Sequence, residues 1–165
     1  MKRPWLVLAA MTLCLMATAP TAQAANKQIR LAEHGTVEGP AGNACSFGYC
    51  TYYYNGVASG QPFGGQNVPF SGAVTGVEPV VDGCFSEASG SFSFLDRRTN
   101  ILAYSKAVEG QLCLTSAGGH TFTGGFTIYD GVYRYAGATG SGTMTLSATA
   151  PDGTFTASER GSISY

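Results

Sequence analysis

Three ionisable residues occur at positions where a strand would turn them toward an apolar interior. They are Glu159, His120 and Glu87, and each lies an even number of residues from apolar side chains. Side chains at even spacing share one face of a strand, and an ionisable group buried on such a face has a shifted pKa that suits proton transfer. We therefore predict Glu159 and His120 as catalytic candidates and Glu87 as a ligand-binding candidate. The apolar neighbours are Phe155, Ala157 and Ile163 for Glu159, Phe122, Phe126 and Ile128 for His120, and Phe85 for Glu87.

An ordinary structural role competes with this chemistry at each position. Glu159 and His120 both lie near the end of a predicted strand, where the mouth of a barrel is open to water. A bulge beside Gly161 would also turn Glu159 outward. If Glu159 does point inward, it must be protonated, paired or at a wet mouth, because burying an unpaired charge is very costly. By residue type, its possible partners are His120, Arg134 and Tyr104.

Two tyrosines extend the candidate ligand site. Tyr52 and Tyr54 belong to a run of three tyrosines, and aromatic rings at a barrel mouth can stack on sugars or aromatic molecules. The alternative is that both residues face one way as core or rim side chains. We predict Tyr52 and Tyr54 as ligand-binding candidates.

Other kinds of site lack their sequence patterns. The chain has no Gly-x-Ser-x-Gly elbow for a serine hydrolase, and its glycine-rich stretch lacks the Gly-x-x-x-x-Gly-Lys spacing of a phosphate loop. The cysteines are not paired as C-x-x-C, and the chain has two histidines, so we predict neither a metal site nor a cofactor.

The N-terminus has the three parts of an export signal. Lys2 and Arg3 supply positive charge, Trp5 to Ala17 form a short apolar core, and Ala22 to Ala24 give a small-x-small cleavage site. We predict that residues 1–24 are a signal peptide and that the mature protein is periplasmic or extracellular. No later stretch is long and apolar enough to span a bilayer.

The mature composition fits one small globular domain. Removing 24 of the 165 residues leaves 141, which is a common domain size, and the aromatic content argues against disorder. Lys2 and Arg3 are lost from the nine basic residues, so seven basic residues face ten acidic ones. That balance argues against a nucleic-acid-binding protein.

Four cysteines remain after the signal, namely Cys45, Cys50, Cys84 and Cys113. An even number in an exported chain indicates two disulfides, and four cysteines allow three pairings. The short loop between Cys45 and Cys50 favours a bond between these two. Cys84 and Cys113 would then join two separate strands.

From Val68 to the C-terminus the chain alternates apolar and polar residues, which is the pattern of strands. Phe92 and Phe94, for example, alternate with serines, and Met144 and Leu146 alternate with threonines. Several such runs separated by turn residues predict an all-β fold, namely a closed antiparallel barrel of about eight strands. We assign residues 68–165 to the barrel core and residues 25–67 to an N-terminal arm and a disulfide-stapled loop.

The segment from Ile128 to Thr143 reads I-Y-D-G-V-Y-R-Y-A-G-A-T-G-S-G-T. It resembles a glycine-rich signature of bacterial proteins of the allene oxide cyclase/dirigent barrel superfamily. The ending from Gly161 to Tyr165 resembles the final strand of that family. The resemblance implies an eight-stranded antiparallel barrel with an apolar interior. None of the plant cyclase's catalytic residues has a match here, so the resemblance implies a fold rather than an activity.

These observations lead to three hypotheses of function. The first is an exported small β-barrel that binds a small apolar or aromatic molecule without a cofactor. The second is a cofactor-free cyclase or isomerase of the allene oxide cyclase or dirigent type. The third is a non-catalytic secreted interaction protein whose filled barrel supports the loop at 44–67.

Overall fold

The computed structural model describes residues 26–40, 45–96, 101–150 and 152–165, and strands account for most of them. A 3₁₀ turn, Tyr133–Tyr135, precedes the seventh strand. No helix among the described residues has the length and apolar character needed to cross a membrane. The strands are β1 Asn26–Glu38, β2 Tyr49–Gln61, β3 Val68–Val81, β4 Cys84–Asp96, β5 Ile101–Leu114, β6 His120–Gly131, β7 Thr139–Ala148 and β8 Gly153–Ser164.

The eight strands form a closed barrel in sequence order. Each strand pairs antiparallel with the next, and β8 closes the barrel by pairing with β1 through twelve residue pairs from Asn26–Ser164 to Val37–Gly153. The closed antiparallel eight-stranded barrel predicted from the sequence is therefore confirmed. Because neighbouring strands run in opposite directions, the β1–β2, β3–β4, β5–β6 and β7–β8 connections share one end, here called the disulfide end. The start of β1, the end of β8 and the other three connections share the opposite end, here called the terminal end.

The barrel begins earlier than the sequence pattern predicts. Residues 26–38 and 49–61 are the first two barrel strands, whereas the sequence indicated an arm and a loop over 25–67. In β1 the inward positions include Glu33 and Gly35 as well as Ile29 and Leu31, so the apolar alternation is interrupted. Pairing with β8, which lies more than 110 residues away along the chain, forms this strand.

Inward-facing apolar side chains fill the barrel and short polar side chains cover its outside. Glycines on the inner face make room for large rings. A Cβ atom on Gly72 would lie 2.3 Å from the Phe92 ring, and one on Gly142 would lie 2.6 Å from the Phe126 ring. Each glycine is the register partner of the ring's residue, so these two glycines allow each ring to lie over the backbone of the neighbouring strand.

Both predicted disulfides are present. Cys45 bonds to Cys50 across the β1–β2 connection. Cys84 bonds to Cys113, and these residues are register partners on β4 and β5. The predicted signal peptide lies outside the described residues.

Candidate functional site

A lysine lies at the centre of the barrel between two glutamates. The Lys106 side chain, on β5, is completely buried, and so are the side chains of Glu33 on β1 and Glu159 on β8. The Lys106 Nζ atom lies 3.6 Å from Glu33 Oε1 and forms a closer ion pair with Glu159 Oε1. The three side chains are called here the central ion group.

The strand register explains how these residues meet. Leu31 is the partner of Glu159 across the β1–β8 ladder, so Glu33 and Glu159 occupy diagonal positions on one inner wall. Lys106 pairs with Phe92 on β4 and Ile128 on β6, which places it on the opposite wall. The lysine side chain therefore reaches across the barrel and links its two sides.

Aromatic and thioether groups complete the surroundings of the ammonium group. The Lys106 Nζ atom lies 4.9 Å from the ring centres of both Phe92 and Phe94 and 5.4 Å from that of Phe126. The Met144 sulfur lies 3.8 Å away. A cation over several ring faces is attracted by their quadrupoles, so these contacts favour the charged form of the lysine.

Burial dominates the electrostatics of the central ion group. Desolvation lowers the pKa of Lys106 to about 8, although the nearby Glu33 carboxylate opposes this shift. Desolvation raises the pKa of Glu33, and the charge of Lys106 only partly offsets it. One cation cannot neutralise two carboxylates, so the buried net charge is smallest when one of the two glutamates is protonated.

A second polar cluster lies toward the disulfide end. The Tyr54 hydroxyl and His120 Nε2 are 2.6 Å apart, and the Tyr52 ring centre lies 4.0 Å from that of His120. Desolvation lowers the pKa of His120 to about 4 and raises the pKa of Tyr52 to about 12. The imidazole is therefore neutral at pH 7, and its Nδ1 atom has no hydrogen-bond partner among the described residues.

The terminal end is closed by an aromatic side chain from a loop. Phe63, in the β2–β3 connection, is 5 % exposed. Its ring stacks on Tyr104, with centres 5.7 Å apart and planes at 8°, and it also contacts Phe94 and Tyr135. The Tyr104 hydroxyl is buried and has no hydrogen-bond partner within the described residues.

The structure brings some of the predicted site residues together and separates others. Glu159 and His120 both point into the barrel, but Glu159 belongs to the central ion group and His120 to the cluster at the disulfide end. Tyr52 and Tyr54 are fully buried beside His120, so they face the interior rather than solvent. Of the partners considered for Glu159, none is the observed one, which is Lys106.

Glu87 does not share the inner face with Phe85, and that expectation was wrong. Glu87 is exposed, whereas Phe85 and Ala88 are both buried. The ladder between β4 and its neighbours shifts register in this stretch. Such an irregularity changes the alternation of faces by one residue, which turns the Glu87 side chain outward.

Sequence reasoning missed Lys106 and Glu33, although the signal was available. Lys106 lies two residues from Tyr104 and from Val108, and Glu33 lies two residues from Leu31. These neighbours are all buried. Even spacing from apolar residues was the criterion that identified Glu159, and it applies equally to these two residues.

Comparisons with protein-family models, with curated proteins and with solved structures gave no match to this chain. The kinship with the allene oxide cyclase/dirigent superfamily remains a prediction from the glycine-rich segment.

Proposed function

We propose that the protein is an exported barrel that binds a small, neutral aromatic or apolar molecule in its interior without a cofactor. The observation that carries this proposal is the position of the Phe63 ring. The Phe63 side chain, from a loop, fills a space between aromatic rings at the terminal end of the barrel, on the side that leads toward the central ion group. We take this ring to occupy the place of an aromatic ligand.

The loop that carries Phe63 is suited to release it. Gly64 and Gly65 follow directly, both with positive φ, and a Cβ atom added to either would meet nothing within 4 Å. Two backbone hydrogen bonds, from Gly65 N–H to the Gly60 carbonyl and from Gln66 N–H to the Phe63 carbonyl, hold the turn, and the phenyl ring anchors it to the barrel interior. An incoming ring can replace Phe63 against Tyr104 and Phe94 with little change in buried apolar area.

Polar groups below the Phe63 ring favour a neutral ligand with a hydroxyl group. The Tyr104 hydroxyl lacks a hydrogen-bond partner in the described part of the chain, and the charge of Glu33 is among the causes that raise the pKa of Tyr104. Leaving a buried polar group without a hydrogen-bond partner destabilises the protein by about 1–3 kcal/mol. A hydrogen bond to a hydroxyl group of the ligand would recover this energy. Lys106 is already paired with Glu159, so it is not free to compensate an anionic ligand, whose unpaired charge would be costly to bury.

The binding proposal is tested by calorimetric titration with 2-naphthol and 2-naphthoate. We expect naphthol to bind at least tenfold more tightly than naphthoate. Phe63→Ala should strengthen naphthol binding about fivefold, because no ring has to be displaced. Tyr104→Phe should weaken it, whereas Tyr54→Phe, at the other end of the barrel, serves as the matched control. Equal affinity for both compounds, or no binding by either the wild type or Phe63→Ala, would contradict the proposal.

Export is part of the same proposal and is supported by the two disulfides, since such bonds persist in oxidising compartments. Expression of the full chain should yield a mature N-terminus at Ala25 in the periplasm or medium. A full-length chain retained in the cytoplasm with reduced cysteines would contradict this part.

A cofactor-free cyclase or isomerase is the second candidate function, and the central ion group favours it. Lys106, with a pKa of about 8, and the buried Glu33 and Glu159 carboxyl groups could transfer protons within an aromatic-walled space. The test is conversion of an allylic epoxide and the stereochemistry of its product. Turnover that persists after Lys106→Met with both glutamates changed to Gln would contradict a role for these residues.

A further inference from the structure

The β1–β2 connection presents a phenylalanine in an unusual way. Ser46 and Tyr49 exchange two backbone hydrogen bonds of 3.0 Å, and between them Phe47 and Gly48 have φ values of 53° and 81°. Two left-handed residues at these positions make a type I′ turn, which favours Asn and Gly and disfavours a bulky residue. Phe47 is 100 % exposed, so no contact within the described chain compensates for its unfavourable backbone.

This turn is held firmly against the barrel. The Cys45–Cys50 disulfide closes its base, and the backbone N–H of Glu78 donates to the Gly48 carbonyl at 2.9 Å. Residues held in sparsely populated backbone regions by their surroundings cluster at functional sites. A fixed, fully exposed ring is also pre-organised for contact with a partner.

Other exposed apolar side chains lie at the same end. Tyr49 is 55 % exposed, Val80 39 % and Val81 60 %. Val80 and Val81 end β3 beside a second fixed turn, in which the Gly83 carbonyl accepts from the Leu114 N–H at 2.7 Å. Phe47, Tyr49, Val80 and Val81 together are called here the apolar patch.

Acidic side chains are concentrated at the same end as the apolar patch. Five exposed carboxyl groups lie at or near the disulfide end, and no lysine or arginine occurs among its described residues. The exposed basic residues that the structure describes lie in the half of the barrel toward the terminal end, at Lys27, Arg30, Arg134 and Arg160. The five acidic residues are Glu38, Glu78, Asp82, Glu87 and Asp152.

A groove of about 420 Å³ opens beside the apolar patch. Its walls include the exposed rings of Tyr49 and Tyr53, Pro40 and the acidic residue Glu38. Aromatic faces next to a carboxylate suit the head group of a lysine or arginine side chain.

We propose that the disulfide end is a docking surface for a cationic, partly apolar polypeptide segment. Phe47 would insert among the apolar side chains of this segment, and the groove lined by Tyr49, Tyr53 and Glu38 would receive a lysine or arginine. The charge of this end repels anionic lipid surfaces and anionic polypeptides. This inference is independent of ligand binding in the barrel interior.

The test is titration of the mature, oxidised protein with three synthetic 14-residue peptides built from Lys and Leu, from Glu and Leu, and from Lys and Ser. We expect the Lys–Leu peptide to bind with a Kd in the micromolar range and the other two at least tenfold more weakly. Its affinity should fall as salt is added, since the attraction between charges is screened.

Two variants separate recognition from a structural role of Phe47. Phe47→Gly should raise the midpoint of thermal unfolding, because glycine accepts the left-handed backbone, and should weaken Lys–Leu binding at least tenfold. Tyr129→Ser removes another exposed ring, from β6 near the terminal end, and should leave binding unchanged.

Three outcomes would overturn the proposal. These are equal binding of the Lys–Leu and Glu–Leu peptides, no measurable binding of the Lys–Leu peptide, and unchanged affinity in Phe47→Gly. Sedimentation of the protein alone gives a further check. A dimer that Phe47→Gly dissociates would assign the patch to contacts between copies of this chain instead.

Discussion

The buried lysine is the residue on which the interior depends most. The Lys106 ammonium group lies between two carboxyl groups inside an apolar barrel, and removing the lysine leaves buried carboxylate charge without a cation. The same residues could be replaced together by neutral side chains at far smaller cost. The contribution of each of these residues to the free energy of unfolding therefore depends on the other two.

Replacing the lysine should reveal this dependence. Lys106→Met is expected to destabilise the protein by about 3–5 kcal/mol near pH 7, because the glutamates lose their cation. Lowering the pH should restore part of this loss, since burial already raises the pKa of Glu33 and protonation removes the uncompensated charge. Urea unfolding at pH 5 and pH 7.5 measures both effects.

The matched control adds Glu33→Gln and Glu159→Gln to Lys106→Met. This triple variant should regain most of the lost stability and lose its extra dependence on pH. If the single variant is as stable as the wild type at both pH values, the central ion group has no energetic role.

His120 gives the fold a separate sensitivity to acid. Its pKa is 6.5 when unperturbed and about 4 in the folded protein, so between these values the unfolded chain binds a proton that the folded protein does not. Stability therefore falls as the pH drops from about 6.5 to about 4, by about 3 kcal/mol in total.

We expect His120→Gln, which retains a hydrogen-bonding group beside Tyr54, to lose this component. The unfolding free energies of wild type and variant are measured at pH 4.5 and at pH 7, and the difference between the two proteins is compared at the two pH values. The contribution of Glu33 cancels because both proteins contain it. Parallel pH profiles for the two proteins would contradict the assignment.

At the scale of strands and connections, the two disulfides have different consequences. Cys84–Cys113 closes a loop of 29 residues, whereas Cys45–Cys50 closes one of 5. In the chain-entropy description a longer closed loop restricts the unfolded chain more. The Cys45–Cys50 disulfide fixes the orientation of a turn, and the Cys84–Cys113 disulfide stabilises the pairing of β4 with β5.

Replacing both cysteines of one bond by serine should separate these roles. Removal of Cys84–Cys113 is expected to cost about 3–4 kcal/mol and removal of Cys45–Cys50 about 2 kcal/mol. Denaturant unfolding of the two double variants measures this order. A larger loss for the shorter bond would show that contacts in the folded state, rather than chain entropy, dominate.

At the scale of the whole molecule, closure of the barrel is the main structural feature. Pairing of β1 with β8 leaves no free sheet edge, and free edges are sites of aggregation. Closure also creates the enclosed space in which the central ion group is buried. One long-range strand pairing therefore protects the sheet and forms the interior.

Deleting residues 26–38 should test this dependence. Without β1, the edges of β2 and β8 are exposed, and we expect the protein to aggregate in size-exclusion chromatography and to bind thioflavin T. The control is the intact chain with Glu33→Gln, which loses the carboxylate but retains the strand. A monomeric deletion variant with native circular dichroism would contradict the role of closure.

The sequence by itself determined the fold class and the inward direction of several side chains, and it favoured the observed disulfide pairing among three possible ones. Regular alternation from Phe122 to Ile128 and from Phe155 to Ile163 was sufficient to orient His120 and Glu159. These features depend on local periodicity and short loops, which are readable in a single sequence.

Only the tertiary structure decided which residues meet. Lys106 reaches Glu33 and Glu159 because a closed barrel sets β5 opposite β8 and β1. The sequence of a single strand does not specify how the whole sheet curves, so it could not predict this contact. The outward turn of Glu87 depends on register shifts with two neighbouring strands. Strand β1 forms by pairing with the distant β8, so local periodicity could predict neither its extent nor the contacts of its glutamate.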